Sequence, residues 1–135
     1  MKKSILKSIG IIAVVVMSLT SCSSSDDDNG GGGNANQRNV KFEVTGNFTG
    51  DLSATFIVAS GGAVSEDLPS LPWIKEITYE PSVSGTGISV GGTGGVAGQT
   101  LTVKIFSGGT LISTTPATAN NNGTVTISAP SYIFQ

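Results

Sequence analysis

The chain has 135 residues, with seven Lys and Arg, nine Asp and Glu, no histidine and a single cysteine, for a formal charge of −2. The missing histidine removes the commonest general base, the commonest metal ligand and the near-neutral pH switch together. One cysteine cannot close an intrachain disulfide. The four cations beyond residue 37 (Arg38, Lys41, Lys75, Lys104) are too scattered to form the basic stripe that neutralises phosphates, so no nucleic-acid partner is expected.

Lys2, Lys3 and Lys7 precede the apolar run Ile9 to Leu19, which is the layout of a secretion signal over residues 1–21. A spanning helix wants roughly 20 apolar residues, and the polar run from Ser21 begins too soon for one. Leu19-Thr20-Ser21-Cys22 resembles the lipobox of bacterial lipoproteins, with an apolar residue three places before the cysteine and small residues between. The resemblance implies cleavage before Cys22 and acylation of its thiol with diacylglyceryl and palmitate-type chains. Two or more chains are what stable anchoring in a lipid bilayer requires. An ordinary small-residue cleavage site ahead of a free thiol is the alternative.

Residues 22–37 carry the lipidated cysteine and a tether. Ser23 to Gln37 holds one apolar side chain, Ala35, among Ser, Asp, Asn and Gly, so it cannot repay the entropy of ordering. A flexible coil on the order of 20 Å in root-mean-square span is expected. Ser25, Asp26, Asp27 and Asp28 resemble the export signal that carries lipoproteins to the outer face of the outer membrane in some Gram-negative bacteria. A solvated acidic linker, with the protein on the periplasmic face, is the alternative.

From Arg38 to Gln135 the apolar pattern has period two, the signature of half-buried strands. Val40, Phe42 and Val44 alternate with polar residues, as do Leu52 to Val58, Leu101 to Ile105 and Val125 to Ala129. Weaker candidates are Ala63 to Asp67, Trp73 to Glu80, Gly85 to Gly91 and Thr110 to Thr114, which brings the count to seven or eight. Ser107-Gly108-Gly109 reads as a tight hairpin and Asn120 to Gly123 as a turn. Gly85 to Gly98 is dense in glycine, which strands tolerate poorly, and predicts a mobile loop or an irregular edge. Short antiparallel strands in one small domain argue for an all-β fold: a small antiparallel β-sandwich of immunoglobulin-like architecture over residues 38–135, with a small barrel as the alternative.

Val40 to Gly46, Leu71-Pro72-Trp73 and Leu101 to Phe106 with a glycine turn after it resemble the small MmpS-type β-sandwich proteins. In acid-fast bacteria such proteins are membrane-anchored accessory partners of lipid and siderophore exporters. The likeness covers roughly Val40 to Ile112 and implies the fold. This chain departs from the pattern by its lipobox in place of a helical anchor, and by Ser-Gly-Gly where an Asp-Gly turn is usual.

The remaining motifs have plain structural readings. Gly87-Ile88-Ser89-Val90-Gly91 fits a nucleophile elbow, which needs a following helix and a histidine base; without either, Ser89 is expected on the outer face of a strand. Gly92 to Ala97 fits a dinucleotide fingerprint, but a strand follows where a helix must. Asp51, Glu66, Asp67 and Glu80 lack the loop spacing of a calcium site and are expected as solvated acids. Asn47-Phe48-Thr49 fits a glycosylation sequon, of little weight behind a lipobox. Trp73 and Tyr79 are either core aromatics or an aromatic platform for a ligand. No catalytic, cofactor or metal residue is assigned. The expected function is that of a non-enzymatic, lipid-anchored module that contacts an envelope protein through strand edges or the glycine-rich segment. A surface module for a glycan or a small apolar ligand is the alternative.

Overall fold

The computed structural model describes residues 35–135; the predicted signal, Cys22 and the Ser25 to Asp28 motif lie outside them. A single 3-10 turn, Ala35–Arg38, leads into ten strands: β1 Asn39–Gly46, β2 Asp51–Ile57, β3 Ala63–Leu68, β4 Trp73–Thr78, β5 Gly85–Thr86, β6 Ile88–Thr93, β7 Thr100–Ser107, β8 Thr110–Thr118, β9 Val125–Ser128 and β10 Tyr132–Ile133. Two four-stranded antiparallel sheets, ordered β4-β1-β7-β8 and β3-β2-β6-β9, form the sandwich, and β5 pairs with β10 beside it.

Alternation decides which side chains meet between the sheets. Val40, Phe42 and Val44 of β1 and Leu101, Val103 and Ile105 of β7 are fully buried, and they face Leu52, Ala54 and Phe56 of β2, Ile88 and Val90 of β6, and Val125 and Ile127 of β9. The intervening positions are polar or half-exposed, as a sheet with one wet face requires. The β7–β8 hairpin has the two-residue loop expected from the sequence. Gly108 and Gly109 both take positive φ, 56° and 85°, as the turn that matches strand twist demands.

The glycine-rich segment is where expectation and structure part. Within Gly85 to Gly98, Ile88–Thr93 is neither a loop nor an edge: β6 lies inside its sheet, hydrogen-bonded to β2 on one side and β9 on the other, and residues 94–98 form the loop that follows it. Close packing is the reason. A Cβ on Gly92 would stand 2.5 Å from Leu52 Cδ2 and 2.7 Å from Phe48 Cε1, and one on Gly95 would stand 2.3 Å from Phe48 Cε2. The glycines make room for the Phe48 ring, which lies buried over the end of the strand.

The sheet edges are guarded, against the expectation that they template strand addition. Lys75 of edge strand β4 is paired in register with the buried Phe42, and Glu66 of edge strand β3 with the buried Ala54, so both charges point inward. They meet there at 3.1 Å, with Lys75 Nζ 5.6 Å above the Phe56 ring. Inward charge on an edge strand opposes pairing with another chain. On the other side, β8 carries Pro116 and a register shift beside Ile105/Phe106, and β9 spans only Val125–Ser128.

Candidate functional site

The sandwich has two unlike ends. At the tether end the chain enters through Gln37 and Arg38, and a polar-aromatic cluster closes the core. Arg38 Nη1 donates to the Glu80 and Val83 carbonyls at 2.8 and 2.7 Å, with the guanidinium 4.8 Å from the Phe134 ring centre. Thr86 Oγ1 donates to the Tyr79 hydroxyl at 2.6 Å, and that hydroxyl donates to the Ile57 carbonyl. Burial pushes the Tyr79 phenol above its ordinary range, and the Thr86 hydrogen bond offsets part of the rise.

The two aromatics singled out in the sequence therefore share a core and not a platform. Tyr79 packs on Phe134 with ring centres 5.4 Å apart, while Trp73 packs on Phe56 at 6.0 Å, and Phe56 in turn on Phe42. Trp73 is 9% exposed and Tyr79 is buried as well. Neither offers a ring face to a ligand. Ser89 sits half-buried on β6 between buried Ile88 and Val90, in mid-strand, and Gly92 to Ala97 leads into β7 without a helix.

The opposite, distal end gathers the β1–β2, β3–β4, β6–β7 and β8–β9 loops. Side-chain amides and backbone bonds tie three of them together. Gln99 Oε1 accepts from the backbone N–H of Thr49 at 3.1 Å and of Val96 at 2.9 Å, and lies 3.2 Å from Thr49 Oγ1. Asn47 Oδ1 accepts from Thr100 N at 2.8 Å, so the sequon asparagine is held against β7. Asn120 Oδ1 accepts from Asn122 N and Thr124 N, while Gly95 N and Gly98 N donate to the Gly123 and Ala119 carbonyls. No sequence motif announces the ties between loops, because those partners lie far apart along the chain. Val96 stands out from this framework, 61% exposed.

Two open grooves meet at this end and share Asp51 and Asp67. One, of about 350 Å³, runs over the outer face of β2, β6 and β9, past Ser53, Gly91 and Thr126; the other, of about 560 Å³, lies along Thr49, Gly50, Leu68 and Pro69. Hydroxyls, carboxylates and glycines line them together with Leu52, Leu68, Pro69 and Val125, without an aromatic or a base. A third groove, of about 520 Å³, crosses the outer face of the other sheet at Asn39, Lys41, Glu76 and Phe106, where Lys41 Nζ covers the Phe106 ring at 4.4 Å. Glu66 is spent on Lys75, and Glu80 is exposed at the tether end. Among the described residues there is no group of three or more potential metal-ligating His, Cys, Asp or Glu side chains, and no helix long and apolar enough to cross a membrane. No protein-family model, curated protein or solved structure matches the chain.

Proposed function

We propose that this protein is a non-enzymatic envelope lipoprotein, anchored by acylated Cys22 at the outer membrane and exposed at the cell surface, that serves as a tethered accessory module for another envelope protein. The contact end is the distal loop cluster. One observation carries this reading: Gln99 and Asn47 tie the β1–β2 loop to the segment before β7, and backbone bonds from Gly95 and Gly98 tie that segment to the β8–β9 loop, before any partner arrives. Loops clustered at one end of a sandwich are where such domains place their contacts. Ordering them in advance removes a cost that binding would otherwise carry. The glycine-rich segment thus acts as a prepared surface, with Val96 at its tip, and not as a segment that orders on binding.

A glycan-binding role is favoured by a different observation. The Asp51 and Asp67 grooves offer carboxylates and hydroxyls that suit sugar hydroxyls. It would have to work without Trp73 and Tyr79.

The test is photo-crosslinking in the source cells, with a photoreactive residue at Val96 or, as a control, at Thr114 on the outer face of β8. The expected outcome is one envelope protein captured through Val96 and not through Thr114, with capture reduced at least tenfold by Gln99→Ala. Equal capture from both positions, or capture of polysaccharide through Val96, would reject the protein-contact reading. A Cys22→Ala chain that is processed and acylated normally by intact mass would reject the anchor.

A further inference from the structure

The tether end carries a surface that the proposed contact does not use. The chain's route into the sandwich is fixed there: Ser107 Oγ donates to the Gln37 carbonyl at 2.7 Å, and Gly108 N donates to the Asn39 carbonyl at 2.9 Å. The tip of the β7–β8 hairpin therefore stands beside the point where the tether arrives. At that tip the register shift leaves Ile112 without a partner in β7, between Leu111 opposite Phe106 and Ser113 opposite Ile105. Leu111 and Ile112 are exposed one after the other, at 48% and 40%. Ile133, 57% exposed, follows Tyr132, whose hydroxyl lies 3.1 Å from Ser107 Oγ. The distal end exposes Asp51, Asp67 and Asn120 to Asn122, with Val96 at its loop tip and Ile74 one residue into β4 as separate exposed aliphatics.

We infer that the tether end is a lipid-contacting face, on which Leu111, Ile112 and Ile133 rest against the bilayer that holds Cys22, so that the sandwich stands with its distal loops turned away. This rests on the anchored-lipoprotein reading above. The occupant follows from the chain outside the described residues. Residues 22–34 join the acylated cysteine to the 3-10 turn, a lead of at most about 45 Å when fully extended and roughly 20 Å as a coil. So short a lead holds this end at high effective concentration beside the headgroups, where a contact too weak to recruit a free protein is still populated. Lys41, lying over Phe106 next to Leu111, has the long stem and charged tip that reach from an apolar surface to headgroup phosphates. Asp51 and Asp67 sit at the end that faces away from those phosphates.

The chain's single cysteine makes the experiment clean, because acylation of Cys22 leaves an introduced thiol as the only one. Full-length acylated protein carrying Ile112→Cys, Ile133→Cys or Val96→Cys is labelled with a fluorophore and reconstituted into phosphatidylethanolamine–phosphatidylglycerol vesicles containing nitroxide-labelled acyl chains. Labels at positions 112 and 133 should be quenched at least threefold more than the label at 96. Adding Leu111→Asp, an exposed site that leaves the core intact, should bring the label at 133 down to the level of 96. Equal quenching at all three positions in a chain shown to be acylated overturns this inference alone. A chain found without acyl groups by intact mass overturns it together with the anchor. Self-quenching of the label at 112 that grows with protein density, without nitroxide quenching, assigns the face to a second copy and overturns the lipid contact.

Discussion

Gly91 and Gly92 are neighbours in β6, yet alanine should act on them in opposite directions. A Cβ on Gly91 meets no heavy atom within 4 Å, whereas one on Gly92 meets Leu52 Cδ2 at 2.5 Å, Phe48 Cε1 at 2.7 Å and the Asp51 carbonyl oxygen at 3.1 Å. Neither residue has a positive φ, so backbone strain enters neither substitution. Gly91→Ala restricts the unfolded chain without a clash in the native one, a gain of about 0.4–1 kcal/mol. Gly92→Ala forces a methyl group between two buried side chains, and overpacking of this kind costs about 1–3 kcal/mol. In a domain of this size each kcal/mol moves the melting temperature by roughly 4–8 °C. Thermal melts followed by circular dichroism should then show Gly91→Ala raised by roughly 2–8 °C and Gly92→Ala lowered by roughly 4 °C or more. Shifts of the same sign, or no shift in either, would refute the placement of this segment as a packed interior strand.

Trp73→Ala should cost about 3–5 kcal/mol, the usual penalty for truncating a buried aromatic, out of the roughly 5–15 kcal/mol that holds a domain folded. A urea midpoint close to that of the native chain would mean that the ring does not hold up the core. Tyr79 gives a pH dependence whose sign follows from its raised phenol: the folded state keeps the proton longer than the unfolded one, so stability is full below the ordinary tyrosine value near 10 and falls as pH rises beyond it. Tyr79→Phe should lower stability at neutral pH by about 1–3 kcal/mol, because Thr86 and the Ile57 carbonyl lose their partner, and should flatten the alkaline decline. Urea midpoints that fall equally steeply in both proteins above about pH 10 would contradict this.

The strands that alternate cleanly, β1, β2, β7 and β9, are legible in the sequence because one face of each is apolar and the other is not. β8 continues past the predicted Thr114 to Thr118, since Pro116 reads as a breaker but is tolerated on an edge strand. β6 misleads because the residue that should point inward is Gly92, and the apolar group filling that space belongs to Phe48 in another loop. β10, with only Tyr132 and Ile133, is too short to show a period. Trp73 and Tyr79 stand out in the sequence as aromatics, but only the fold reveals that they enter one core through different ring partners, Phe56 and Phe134. Gln99 and Asn47 give no local sign of their role, because the Thr49 N–H that Gln99 accepts and the Thr100 N–H that Asn47 accepts lie about 50 residues away along the chain.

The guarded edges bear on how such a domain can associate. With Lys75 and Glu66 turned inward on β4 and β3, Pro116 in β8 and β9 confined to Val125–Ser128, a strand added from another chain would lose ladder bonds or strand a charge. Association is left to loops and sheet faces, and these are divided by position along the strands. The apolar tip at Leu111 and Ile112 and the amide-tied loops at Gln99 and Asn120 lie at opposite ends of β7 and β8, joined by a core whose side chains are fully buried. Sites that share no side-chain partners act nearly independently. Gln99→Ala should therefore leave nitroxide quenching at position 133 unchanged, and Leu111→Asp should leave the loops folded; a change at one end on mutating the other would refute the independence of the two.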